Sequence, residues 1–232
     1  MTALSLAMGD SDLILSQRLG AWCGHGPVLE EDLALANVAL DLLGQARMWL
    51  SLYGEREGLN RTEDDLAFLR DAGEFRNLLL VEQPNGDYAF TMARQFYFDA
   101  WHKLALDQLA LSGDASVAAI AAKAAKEVAY HLRRSRDWVV RLGDGTDESH
   151  RRMQAAIDAL WPFTGEMFDE YFNNLQPAWQ AEIEATLNLA TLTVPHDTWM
   201  HRGGRQGIHT EKLGPLLAEM QFLQRAYPKA AW

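Results

Sequence analysis

Along most of the chain apolar residues recur every three or four positions, and no segment alternates them with polar ones over a strand's length. Leu35, Val38, Ala39, Leu42, Ala46, Trp49 and Tyr53 fall at helical spacing and predict a helix over 30–56. A second long segment, 87–111, lies between the turn signal Pro84-Asn85-Gly86 and Gly113. Asp114 as N-cap and Gly143 as stop bound a third, at 115–142. Asp147 is placed to cap a helix over 148–174, which Pro162 should kink or interrupt. Shorter helices are expected at 11–23, at 63–82 in two pieces, at 177–192 and at 214–226, with a loop at 202–207. The pattern predicts an all-α fold: one domain, 1–232, built as a bundle of long helices with shorter ones around it.

The 232 residues, 48% of them hydrophobic, suffice for one sizeable core. A formal net charge of −11 disfavours nucleic acid as a partner, since a phosphate backbone would be repelled. Cys23 is the single cysteine, so neither an intrachain disulfide nor a cysteine zinc site is available, which points to a reducing, cytoplasmic setting. The N-terminus lacks a basic region ahead of an apolar one, and no apolar run reaches the ~20 residues of a membrane span.

Long-helix bundles build sites from side chains on facing helices. In the di-iron carboxylate pattern two helices each give one carboxylate and two others each give Glu-x-x-His, the three-residue spacing aiming both ligands at one metal pair. Two alignments are open. A permissive one takes Asp41, Asp99-x-x-His102, Glu127 and a broken Asp158-x-x-Trp161; a strict one puts Leu42-x-x-Gln45 and Val128-x-x-His131 in the Glu-x-x-His places, with Asp99 between.

The helix at 115–142 discriminates. Its apolar stripe runs Val117, Ala121, Ala124, Val128, His131, Trp138 and Leu142, whereas Lys123, Glu127, Arg134 and Arg141 form a charged stripe. Glu127 is thus expected outward and Val128 inward, which favours the strict alignment. There, Leu42 and Val128 replace glutamates, Gln45 replaces a histidine, and no first-helix carboxylate stands near Gln17. Asp99 and His131 alone keep ligand-capable groups, too few for an oxygen-activating centre. The expected core is ferritin-like and binds no functional metal. A buried polar cluster of Asp99, His131 and Gln45 is expected in its place, with His102 and Lys103 as further partners of Asp99.

Other signals are weaker. Asp41 is read as paired with Gln45 or an arginine. Arg133, Arg134, Arg136, Arg141, Arg151 and Arg152 are read as a solvated face, with CoA phosphates or an acidic partner as the sharper alternative. Arg202-Gly203-Gly204-Arg205 lacks a P-loop ending, and Cys23 has only His25 nearby to activate it. Trp22, Trp49, Trp101 and Trp138 fall at core spacing, and Trp232 is the tryptophan best placed to touch another chain.

The segments LSQRLGAWCGH (15–25), LDLLGQAR (40–47), NLLLVEQPNGDYA (77–89), AYHLRRSRDWVVRLGDGTD (129–147) and HTEKLGPLLAEMQFLQR (209–225) resemble the C subunits of bacterial phenylacetyl-CoA epoxidases, from about residue 10 to the C-terminus. These are multicomponent monooxygenases of aerobic phenylacetate breakdown. The resemblance implies a structural subunit, not an enzyme on its own and without a cofactor of its own. Its implied partner is a homologous A subunit, bound as a heterodimer, which carries the di-iron site and epoxidises the ring with O2. A reductase subunit would deliver electrons from NADPH. The rival reading, an autonomous di-iron oxidase, would use Asp41, Asp99, His102 and Glu127.

Overall fold

The structure is a computed structural model that describes residues 1–168, 171–196 and 199–228. Along the chain run α1 (Thr2–Gly20), α2 (Leu29–Glu57), α3 (Glu63–Phe68), α4 (Tyr88–Leu109), α5 (Ala115–Gly143), α6 (Asp147–Leu160), α7 (Gln176–Leu189), α8 (Leu213–Met220) and α9 (Phe222–Ala226). No strand occurs among the described residues, so the fold is all-α. The chain divides into two compact units, Met1–Pro84 with Gly203–Trp232, and Asn85–Arg202.

The first unit is built on α1 packed against α2. Leu35, Val38, Leu42, Ala46 and Trp49 form the inner stripe of α2, and Ser16 Oγ on α1 donates to the Ala39 carbonyl at 2.8 Å. Helix α1 begins nine residues before the expected start. Gly9-Asp10-Ser11-Asp12, polar as it is, lies mid-helix and buried: Ser11 Oγ donates back to the Ala7 carbonyl at 2.8 Å, and Asp10 faces inward to Arg70. The expected second helical piece before residue 82 is absent. A 3-10 turn at Ala72–Glu74 is followed by the buried run Leu78–Val81, held without a helix, with Leu78 N donating to Ser11 Oγ at 3.2 Å. The C-terminal segment closes on this region, where Gln221 Nε2 donates to the carbonyls of Ala67 and Arg70, both at 3.0 Å.

In the second unit α4 packs along α5, with α6 and α7 against them. Asp87 and Asp114 cap α4 and α5 by accepting from Phe90 N at 2.9 Å and Val117 N at 3.3 Å. Gly143 ends α5 for a packing reason, since a Cβ there would stand 2.5 Å from the Ala190 carbonyl oxygen. Helix α6 is capped by Thr146 instead of Asp147, in a reciprocal pair: Thr146 Oγ1 accepts from Ser149 N at 3.2 Å and Ser149 Oγ accepts from Thr146 N at 3.0 Å. It stops before Pro162, which sits in the 3-10 turn Trp161–Phe163; beyond it the described residues of the helix expected out to 174 hold short 3-10 turns at Gly165–Met167 and Asn173–Leu175. Thr146→Ala should therefore cost about 1 kcal/mol in urea unfolding, and an unchanged midpoint would refute this capping role.

Tyr97 marks the centre of the unit. Its hydroxyl donates to the Ile157 carbonyl at 3.2 Å, its own carbonyl accepts from Trp179 Nε1 at 3.1 Å, and its ring meets Trp161 and Trp179. Burial pushes its hydroxyl pKa well above the ordinary tyrosine range.

Candidate functional site

The polar centre of the second unit grows from two antiparallel helices in register. Asp99 on α4 is fully buried, and Ser135 on α5 donates to its Oδ2 at 2.7 Å. Gln95, one turn earlier on α4, donates to Oδ1 at 2.7 Å. One turn along α5 from Ser135 comes His131, and a further turn brings Val128, both buried. His102, three residues after Asp99, is buried between Phe98 and Trp101, with ring centroids at 4.8 and 6.0 Å.

Electrostatics divide these groups. Burial raises the Asp99 pKa to about 6, a rise opposed by nearby His131, by the Ser135 and Gln95 hydrogen bonds and by Arg134. Burial depresses His102 to about 3, and the neighbouring His131 pushes the same way. His102 is therefore a neutral, stacked core imidazole at physiological pH.

Three expectations about this region need correction. Lys103 does not serve Asp99 but pairs with Asp107 one turn on. Arg134 leaves the solvated stripe; it is buried, donating to the Tyr88 hydroxyl at 3.2 Å and touching the Met92 sulfur at 3.8 Å. The inner stripe of α5 accordingly runs Val128, His131, Ser135, Val139 and Gly143, leaving Trp138 and Leu142 half-buried. Asp99's partners Ser135 and Gln95 were both missed: Ser135 because spacing on one helix does not say which residue of the next lies opposite, whereas Gln95, four residues earlier on α4 itself, was legible as an (i,i+4) pair.

The remaining positions are distributed as follows. Leu42 and Gln45 are fully buried on α2, Asp41 beside them is half-buried, and Gln17 is exposed. Glu127 is half-buried, and Asp158 is exposed, accepting from Gln154 Nε2 at 2.9 Å. Trp49 and Trp101 are core residues, Trp22 is half-buried, and Trp232 lies outside the described residues. The arginines have intrachain company: Arg151 and Arg152 grip Glu148, Arg152 also reaches Asp87, and Arg136 reaches Glu182 at 3.5 Å. Arg133 and Arg141 lie over Tyr130 and Trp138. Cys23 is exposed.

A carboxylate-bridged metal pair does not suit this donor set. Both Asp99 oxygens are engaged by Ser135 and Gln95, and Val128 has no donor atom. Among the described residues no three His, Cys, Asp or Glu side chains converge to hold an ion. Nor is any described helix long and apolar enough to cross a membrane.

The first unit holds buried charges that sequence reading missed. Asp10 meets Arg70, and Glu82 accepts from Thr210 N at 2.8 Å while its other oxygen lies 3.1 Å from His209 Nδ1. Each pair is more than fifty residues apart in sequence, beyond any periodicity.

Comparison with known proteins adds two findings. The family model described as "Phenylacetic acid catabolic protein" matches residues 1–232. The chain is also 53% identical, over 246 residues covering 100% of it and 99% of the relative, to the C subunit of the 1,2-phenylacetyl-CoA epoxidase of Escherichia coli (strain K12).

Proposed function

The chain belongs to the phenylacetic acid catabolic protein family, a ferritin-like helical family, and from that premise we propose that it is a non-catalytic, structural subunit of a phenylacetyl-CoA epoxidase. It pairs with a homologous catalytic subunit that carries the di-iron site, within a cytoplasmic assembly that includes an NADPH-dependent reductase. The full-length likeness to an epoxidase's C subunit supports the complex. The observation that supports the non-catalytic role is that Leu42, in the first unit, and Val128, in the second, are each buried aliphatic side chains at the two sequence positions where Glu-x-x-His would begin. Aliphatic side chains there donate nothing to iron, and Asp99 has its acceptors turned to Ser135 and Gln95. In this reading the polar groups of the old ligand shell act as core hydrogen-bond partners, and this chain's contribution is to stabilise the catalytic subunit and hold its shape.

Co-expression tests it. The catalytic subunit produced without this chain should be insoluble or lose most of its epoxidase activity, and tagging this chain should recover the two together. A soluble, fully active catalytic subunit alone would refute the role. Iron analysis of this chain purified by itself should give none, whereas about two irons per chain would restore the di-iron oxidase reading.

A further inference from the structure

The outward face of α2 carries apolar side chains that the described residues leave exposed. Leu29, Leu33, Leu40 and Leu43 are 71, 56, 65 and 40% exposed. At ~100° per residue, Leu29, Leu33 and Leu40 project within about 40° of one another, opposite the buried Leu35, Leu42 and Trp49. The row extends ~17 Å along the helix. Single exposed leucines are ordinary, but an aligned row on one long helix marks an interaction face. A second observation points the same way. Gly44 lies in this strip, mid-helix, and a Cβ there would meet nothing within 4 Å. A glycine in a helix interior costs about 1 kcal/mol, and among the described residues no contact demands one at this place. An approaching helix would.

Charge decides which helix. The exposed Glu30 and Glu55 fall on one edge of the strip, and the only cation in the strip, Arg47, already lies 3.4 Å from Glu63. A twofold, antiparallel pairing with a second copy would lay this acidic edge beside its own copy, between chains that each carry −11. We propose that this face of α2 docks a long helix of a different chain, with apolar residues at three- and four-residue spacing and lysines or arginines along one edge. Resting on the subunit reading above, that chain is the catalytic subunit of the epoxidase.

The test uses the full chain co-expressed with a tagged catalytic subunit. Leu33→Asp/Leu40→Asp should fold as the parent does by circular dichroism, because both leucines are exposed, yet its recovery with the catalytic subunit should fall at least tenfold. Gly44→Leu fills the notch while favouring the helix, so its loss of recovery cannot be a folding failure. Glu30→Lys/Glu55→Lys should weaken recovery, as should raised salt. Undiminished recovery of the leucine and glycine variants, with the parent also recovered, would overturn this face and leave the subunit reading standing. A parent chain that recovers no catalytic subunit would end both. If the variants lose only self-association of this chain, the occupant is a second copy and the proposal is wrong.

Discussion

Arg70→Met is expected to destabilise the chain by about 3–5 kcal/mol, the range for breaking a buried ion pair from one side. Arg70 and Asp10 are both almost wholly buried. The guanidinium donates through Nη1 to Asp10 Oδ2 at 3.0 Å and through Nη2 to Oδ1, a two-pronged grip. It also donates to the carbonyls of Leu66 at 2.5 Å and Glu74 at 3.1 Å, and lies 4.2 Å over the Phe75 ring. Asp10 takes one more bond, from Arg76 N at 2.8 Å, which cannot neutralise a charge. Methionine keeps the stem's packing but leaves that carboxylate without its cation. Asp10→Leu should cost a similar amount by stranding the guanidinium. The double variant should recover much of the loss, because an apolar pair of similar volume is often near neutral in place of a buried ion pair. Urea unfolding of the four proteins gives the cycle. Costs that simply add in the double variant would show that the two residues do not act as a pair.

That pair also explains where reading the sequence succeeded and where it failed. Helices α2, α4 and α5 were legible to within two residues at each end because their determinants are local: an apolar stripe, an aspartate cap, a glycine stop. The start of α1 was not, because buried Asp10 is accommodated mid-helix by Arg70, sixty residues on, which no local pattern shows. The run Leu78–Val81 has helical composition, yet its backbone is held by Ser11 of another element. The candidate site shows the same division. Buried Leu42, Gln45, Asp99, Val128 and His131 lie on inward faces that periodicity can identify. What each polar group touches depends on how neighbouring helices align, so Ser135 joins His131 beside Asp99, and Arg134 turns inward to Tyr88 and Met92.

Acidification should expose two buried groups of the second unit, Asp99 and His102, with opposite signs. Asp99 is raised from 3.8 to about 6 in the folded chain. The folded state therefore binds its proton more readily, and this group's contribution is complete below about pH 4 and lost as pH rises through 6. His102 is lowered from 6.5 to about 3. Its contribution is complete above about pH 6.5 and is lost as pH falls toward 3, because the unfolded chain takes up a proton that the folded chain refuses. Between about pH 7.5 and about pH 4.5, His102 should thus remove about 3 kcal/mol while Asp99 returns about 2 kcal/mol, at 1.36 kcal/mol for each pH unit separating the titrations. The two nearly offset each other in the parent, and single substitutions should reveal them. Asp99→Asn removes the returning part, so that variant should lose about 2 kcal/mol more than the parent on acidification. His102→Phe keeps the stacking with Phe98 and Trp101 but has no proton to bind, so it should lose about 3 kcal/mol less. Urea unfolding at the two pH values separates these slopes from any uniform packing cost, which would shift both values alike. A His102→Phe chain as acid-sensitive as the parent would mean that His102 is protonated in the folded core, and its neutral, stacked role would have to be abandoned.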